Sequence, residues 1–283
     1  MTTSSPVDAR KRALDSLSKL PPFSPILSKL MASLAGEDVS FAVLGDLIEK
    51  DTVVAANVLR IVNSAAYARR GTVNSVRRAL SVLGVAKIRN IVLGMSISRM
   101  MNQTQPPVGW SMERFNQHSA AVAMLSDLLA QRVQSDYPEG AFVAGLLHDI
   151  GRLLIAMGVP HEYAEISTLY KQSNKSWLDC ERIVLGFDHA SLSADAMDAW
   201  KLPQPIHDAV LWHHEPPVGQ PLARILHAAN IYVDSLGHSI ELEVHSDNDP
   251  LTAIQSLGLS SQAQQQILAQ FQQEHTAIAQ FYR

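Results

Sequence analysis

His118, His148-Asp149, His189 and His213-His214 occur in that order between residues 118 and 214. They are the residues of this chain best suited by type and spacing to do chemistry together. His148-Asp149 lies in the apolar run Gly145-Leu146-Leu147-His148-Asp149-Ile150-Gly151. A buried imidazole and carboxylate are costly unless they are paired or bind a metal. Imidazole is a borderline ligand that suits Zn, Fe, Mn, Co or Ni. A carboxylate beside it can bridge two ions and help polarise a bound water, and two ions about 3.5–4 Å apart stabilise both oxygens of a phosphoester displacement. A lone histidine on a helix is more often a hydrogen-bonded core or surface residue. His161, His207, His227, His238, His245 and His275 are left under that reading, whereas the ordered set points to a real or inherited metal site.

The elements that must position these residues are helices. Apolar residues recur at three and four spacing almost throughout and period-2 runs are scarce, so the expected class is all-α. Residues 1–17 read as a leader, flexible at its start, and Leu20-Pro21-Pro22 as an entry turn. Asp51 and Ser75 are expected N-caps, and Gly84 an expected helix end. A longer helix is expected over 88–101, with Met95, Met100, Met101 and Met112 as core fillers. The polar, Pro-containing stretch 102–109 reads as a linker. Two long helices are expected over 111–133 and 138–157, a further one from Pro160, and another over 177–185. Asp188 is expected to cap a helix carrying His189 that ends at Lys201-Leu202-Pro203. Helical pattern continues over 204–214 and 221–236. Helical bundles build metal sites from side chains that project inward from facing helices, and the histidine segments fit that scheme. The Gln-rich segment 260–273 reads as a surface helix and a candidate oligomer contact.

The 283 residues are 47% hydrophobic and 18% charged, ordinary for a globular protein. A net charge of −4 gives no strong whole-protein attraction to nucleic acid or to a membrane surface. Charge is uneven, with eight Lys/Arg and one acid in residues 51–100, but six acids and one Arg in residues 229–283. Solvated helical faces account for most such runs. The single cysteine, Cys180, excludes an intramolecular disulfide and fits a reducing, cytoplasmic setting. The polar N-terminus carries no signal-peptide h-region, and no apolar stretch is expected to span a bilayer.

The order His, His-Asp, His, His-His resembles the HD superfamily of metal-dependent phosphohydrolases, in particular its HD-GYP branch. Further segments resemble the HDOD domain: Leu20-Pro21-Pro22-Phe23, Ile48-Glu49-Lys50-Asp51, Val58-Leu59-Arg60-Ile61-Val62-Asn63-Ser64-Ala65 and Ala79-Leu80-Ser81-Val82-Leu83-Gly84. So do residues 144–151, Phe187-Asp188-His189 and Trp200-Lys201-Leu202-Pro203, so that the likeness covers residues 15–235. It implies a two-lobe helical protein, with an N-terminal helical bundle over 18–105 packed on an HD-like lobe over 106–245, followed by a helical extension over 246–283. It also implies a bacterial signalling or regulatory role. By resemblance, His118, His148 and Asp149 would hold one metal, and His189, His213 and His214 would serve a second, with Asp149 bridging. The final aspartate of the HD pattern falls at Asn230, whose amide oxygen can coordinate but carries no charge. Asp234, one helical turn on, is a poorly aligned substitute. Arg152 stands where the HD-GYP pattern has Lys, and can still pair with phosphate in a different geometry. The Gly-Tyr-Pro tripeptide is absent, since His213-His214-Glu215 is followed by Pro216-Pro217-Val218.

The first reading is therefore a regulatory module with one or two divalent ions (Fe, Mn, Zn or Ni), a signalling protein as partner, and a nucleotide or phosphate as candidate ligand. The alternative is a metal-dependent phosphohydrolase of a nucleotide or phosphodiester, with Asp149 and Arg152 as its catalytic residues. Nucleic-acid binding through Arg69, Arg70, Arg77, Arg78, Lys87 and Arg89 ranks third. No membrane partner is expected, and the C-terminus is a candidate homodimer contact.

Overall fold

A computed structural model of the chain describes residues 6–34, 39–64, 67, 72–241 and 249–282. Among these, the regular structure is entirely helical, as the apolar periodicity predicts. Helix α1 (Pro6–Asp15) precedes a group formed by α2 (Pro25–Ser33), α3 (Phe41–Glu49), α4 (Thr52–Val62), α5 (Val76–Leu83) and α6 (Val85–Asn102). These pack mainly on one another. The second group comprises α7 (Met112–Ala130), α8 (Ala141–Leu147), α9 (Ile150–Gly158), α10 (Pro160–Gln172), α11 (Trp177–Leu185), α12 (His189–Ala199), α13 (Gln204–Leu211) and α14 (Pro221–Ser235). Helices α15 (Pro250–Gln255) and α16 (Ser261–Ile278) close the chain. The two groups meet where α6 packs on α7 and α8, and one apolar core runs through both.

Side-chain caps set many of the helix starts. Asp51 accepts from Val53 N and Val54 N at 3.1 Å each. Ser75, Ser111, Ser176, Asp188 and Ser260 accept from the third residue on. Each bond satisfies a donor that the first helical turn leaves orphaned. Gly84, at φ 83°, ends α5 and starts α6, and the chain bends by 117° between the two helices. A residue with a Cβ rarely adopts that φ.

The structure corrects several expectations. The single helix expected over 138–157 is interrupted at His148-Asp149, where Asp149 leaves the helical region (φ −102°, ψ 11°) and starts α9. This stretch, Pro138–Gly158, is also long and apolar enough to cross a membrane, which sequence reading did not anticipate, but 94% of its most apolar window is buried inside the protein. The helix expected over 204–214 stops at Leu211, leaving His213 and His214 in the turn beyond it. Residues 1–17, expected as a flexible leader, include α1, which buries Ala9 and Ala13 and pairs Arg10 with Asp195 at 2.7 Å. The Gln-rich C-terminal helix is not merely a surface element, because Ile267, Phe271, Glu274 and Ile278 face inward and α16 packs on α7.

Much of the basic segment is neutralised within the chain. Arg77 pairs with Asp46 and Glu49, Arg99 with Asp51, and Lys87 with Glu274 of the acidic C-terminal region. Arg60 lies over the Phe281 ring at 4.9 Å. Arg69 and Arg70 lie outside the described residues, as does His245.

Candidate metal centre

Two glycines bring the site helices together. A Cβ on Gly145 would stand 2.6 Å from the Ala123 backbone, so α8 presses directly on α7 and carries His148 beside His118. A Cβ on Gly151 would stand 2.2 Å from the His189 carbonyl oxygen, and Gly151 N–H donates to Ser193 Oγ at 2.8 Å. The start of α9 is thereby locked to the start of α12, placing Asp149 against His189. A Cβ at such distances forces backbone to move.

The side chains converge on Asp149. Its Oδ1 lies 3.1 Å from His189 Nε2, 3.4 Å from His148 Nε2 and 3.5 Å from His213 Nε2. Its Oδ2 lies 3.6 Å from His118 Nε2 and 3.6 Å from Arg152 Nη1. Two ligand groups, His118-His148-Asp149 and Asp149-His189-His213-His214, each offer atoms within 4.8 Å of one another and share Asp149. His118, His148, Asp149, His189 and His213 are buried, and His214 is half-buried. Asn230 and Asp234, both on α14, line the same cavity of about 240 Å³ together with Arg152 and His227. The structure thus brings together all seven expected ligand positions and Arg152.

The outer ring nitrogens fix the tautomers. His148 Nδ1 donates to the Gly145 carbonyl at 2.8 Å, His118 Nδ1 to the His238 carbonyl at 2.9 Å, and His213 Nδ1 to the Val210 carbonyl at 2.6 Å. A carbonyl only accepts, so in each case Nδ1 carries the proton. In its neutral form a ring of this tautomer presents its lone pair at Nε2. His118 Nε2 and His148 Nε2 face each other at 3.2 Å, and His189 Nε2 and His214 Nε2 at 2.8 Å. Two ring nitrogens at that separation require a proton or a cation between them. Metal-binding histidines ordinarily anchor their second nitrogen in this way.

Electrostatics keep His148 and His214 neutral and Asp149 ionised, the forms that bind a cation, while His189 holds a proton that a cation would displace. Burial, together with the neighbouring His213 and His118, pushes His148 down to about 3 against the pull of Asp149, keeping the ring neutral. Burial and its histidine neighbours also lower His214. Burial would raise Asp149, but His148 and His189 outweigh it and hold the carboxylate ionised. Burial would lower His189, but Glu181 and Asp149 raise it to about 9. Burial raises Asp234. Asp149 Oδ1, His213 Nε2, Asn230 Oδ1 and Asp234 Oδ1 are all buried without a hydrogen-bond partner. Each such group costs about 1–3 kcal/mol when left unsatisfied. The donor set of imidazole nitrogens, carboxylate and amide oxygen fits a first-row divalent ion.

Sequence reading missed Glu181 and set aside His227. Glu181 is buried and accepts from His189 Nδ1 and from Trp177 Nε1. The available signal was its place between Trp177 and Leu185 on the inward stripe of α11. His227 Nδ1 donates to the His213 carbonyl at 2.8 Å, supporting the turn that carries His213 and His214. A larger cavity of about 590 Å³ lies by α4 and α6, where its charged residues Asp51 and Arg99 pair at 3.5 Å.

Comparison with known proteins bears on this arrangement. The model of the HDOD domain matches residues 20–216. An HDOD domain protein of unknown function from Geobacter sulfurreducens superposes with a TM-score of 0.74 at 23% identity, covering 96% of this chain and 95% of that one. A candidate signal transduction protein from Marinobacter aquaeolei VT8 gives 0.73 at 22% identity, covering 99% and 67%. A candidate phosphohydrolase from Shewanella amazonensis SB2B gives 0.65 at 21% identity, covering 94% and 98%. At these identities the likeness concerns the fold. An uncharacterised protein of Treponema pallidum (strain Nichols) is 20% identical over 205 residues, which are 72% of this chain and 39% of the relative. The chain therefore spans about two fifths of the length of the curated relative it matches.

Proposed function

The chain belongs to the HDOD domain family, and we propose that it is a signalling or regulatory HDOD protein whose HD-type centre is kept as a metal site. The observation that carries this reading is the ligand set itself: two groups, His118-His148-Asp149 and Asp149-His189-His213-His214, share Asp149, and the atoms of each lie within 4.8 Å of one another. Imidazole nitrogens converging on one buried carboxylate are the donors that a first-row divalent cation takes. His118, His148 and Asp149 would hold one ion, and Asp149, His189, His213 and His214 the other, with Asn230 as a neutral oxygen ligand. A bound ion there would supply Lewis acidity and a water of lowered pKa. Asn230 weakens the charge balance that hydrolysis needs, which favours a structural or ligand-sensing centre. The N-terminal helices α2 to α6 supply the surface for a signalling partner.

A metal that binds only the folded chain stabilises it, by about 2.7 kcal/mol at a hundredfold excess over Kd. Stripping the metal with a chelator is expected to lower the melting temperature, and restoring Mn, Fe, Zn or Ni to recover it. An unchanged melting temperature would remove the structural role.

The second reading is a metal-dependent phosphohydrolase, favoured by Asp149 serving both ligand groups and by Arg152 reaching the same cavity. Arg152 would pair with a phosphate oxygen, and Asp149 would hold the ions in register. It requires turnover of a nucleotide or phosphodiester with Mn or Fe that is lost in Asp149→Ala. A broad panel without metal-dependent turnover counts against it.

A further inference from the structure

A second cavity, of about 320 Å³, adjoins the metal-centre cavity and is lined by Trp110, Tyr163, Tyr170 and Trp177 with Arg114 and Lys171. The rings form a chain of contacts, Trp110 to Tyr163 at 6.0 Å, Tyr163 to Trp177 at 5.9 Å and Trp177 to Tyr170 at 5.3 Å. In ordinary core packing the rings would fill the space and their polar atoms would be paired. Here the space remains, and the Trp110 indole N–H is buried without a partner.

The two cavities share Tyr170, Trp177 and Glu241 as a common wall. Glu241 belongs to a short strap laid across the site. The His238 carbonyl accepts from His118, and Arg114, on the same helix as His118, donates to the carbonyls of Ser239 at 2.6 Å, Ile240 at 2.9 Å and Glu241. The Glu241 carboxylate forms an ion pair with Arg152, whose guanidinium lies 4.7 Å above the Trp177 ring. A carboxylate of the chain thus occupies the anion position of the buried cation in the metal-centre cavity.

We infer that the two cavities are halves of one ligand site: the aromatic cavity receives a planar ring, Arg152 receives an attached phosphate, and Glu241 holds the anion position until the ligand displaces it. The ligand class is a mononucleotide. Aromatic faces stack bases with about 1–3 kcal/mol per base, and guanidinium matches phosphate in a bidentate fork. Ligand sites run to about 300–1,000 Å³. The smaller cavity, at 240 Å³, falls below that range and the larger, at 320 Å³, sits at its edge, so neither half alone accommodates such a ligand comfortably. The inference rests on the proposed sensing role, since its phosphate half borders the metal centre.

The test is calorimetric titration of AMP, GMP, adenosine and inorganic phosphate into the wild-type protein, Glu241→Gln and Tyr163→Ala, with metal content measured on the same samples and folding checked by melting. Removing the competing carboxylate in Glu241→Gln is expected to tighten nucleotide binding roughly tenfold and to leave adenosine unchanged. Tyr163→Ala is expected to weaken AMP or GMP roughly tenfold and to leave phosphate unchanged. The inference is overturned if neither nucleotide binds at millimolar concentration, or if either folded variant binds them as the wild type does. Protein that shows these responses yet carries no metal would contradict the metal reading and leave the ligand site standing.

Discussion

Glu181 holds His189 by two bonds from one carboxylate oxygen: Oε2 accepts from the ring Nδ1 at 2.6 Å and from the backbone N–H at 2.8 Å. The other oxygen accepts from Trp177 Nε1 at 2.8 Å. A buried carboxylate is tolerated when its oxygens are hydrogen-bonded, as both of these are. It fixes the tautomer that aims His189 Nε2 at Asp149, and ties the wall of the aromatic cavity to the same ring. Outer partners of metal-bound histidines are typically worth 10–100-fold in affinity. Glu181→Gln is therefore expected to weaken metal binding by about 10–100-fold, measured by competition with a chromophoric chelator. Unchanged affinity would mean that His189 is not a ligand.

Gly151→Ala tests the packing that sets the site. The new methyl would meet the His189 carbonyl oxygen at 2.2 Å, and backbone must shift to admit it. Overpacking of this kind costs about 1–3 kcal/mol, occasionally more. Chemical denaturation should show that loss, and metal content should fall with it because His189 moves. A variant of full stability and full metal content would contradict the contact.

Asn230→Asp should raise metal occupancy. The amide oxygen is buried without a partner in a cavity that already contains Asp149 and Asp234. A carboxylate there adds charge to the ligand set but adds repulsion when the metal is absent. Elemental analysis is expected to show more metal per chain, and chelation to destabilise this variant more than the wild type. No change in either would place Asn230 outside the site.

His275 supplies a pH dependence away from the ligands. Burial, with a smaller contribution from His238, lowers it from 6.5 to about 4. Its ring stacks near Phe271, with centroids 5.4 Å apart. Between pH 4 and 6.5 the unfolded chain binds a proton here that the folded chain does not. Its contribution to stability is thus present in full above pH 6.5 and is lost as pH falls towards 4. His275→Phe keeps the stacking and removes the titration. Urea unfolding across this range should show a shallower acid loss in the variant, and an identical slope would contradict the assignment.

The all-helical class and many helix starts were legible because periodicity and capping are local. Asp51, Ser75, Asp188 and Gly84 act where their types suggest. The order of the histidines also identified the residues that the fold gathers. What sequence could not supply was the direction of side chains at breaks. The apolar run through His148-Asp149 reads as one helix, and only packing against α7 and α12 explains why it turns there. Glu181 was hidden because a carboxylate on an apolar stripe declares its purpose only when Trp177 and His189 are seen on either side. Glu241 and Arg152 lie 89 positions apart, and nothing local links them. The docking of α1, through Ala9 and Ala13, was missed because the mean character of residues 1–17 is polar while two small residues carry the contact.

Whether Asp149 and the histidines around it hold metal is read from the composition of the protein itself, by elemental analysis of protein purified without added metal. One or two Fe, Mn, Zn or Ni ions per chain are expected in the wild type, with loss in Asp149→Ala. Wild-type protein that carries no divalent metal, and acquires none on incubation with these ions, would rule out a metal centre at Asp149.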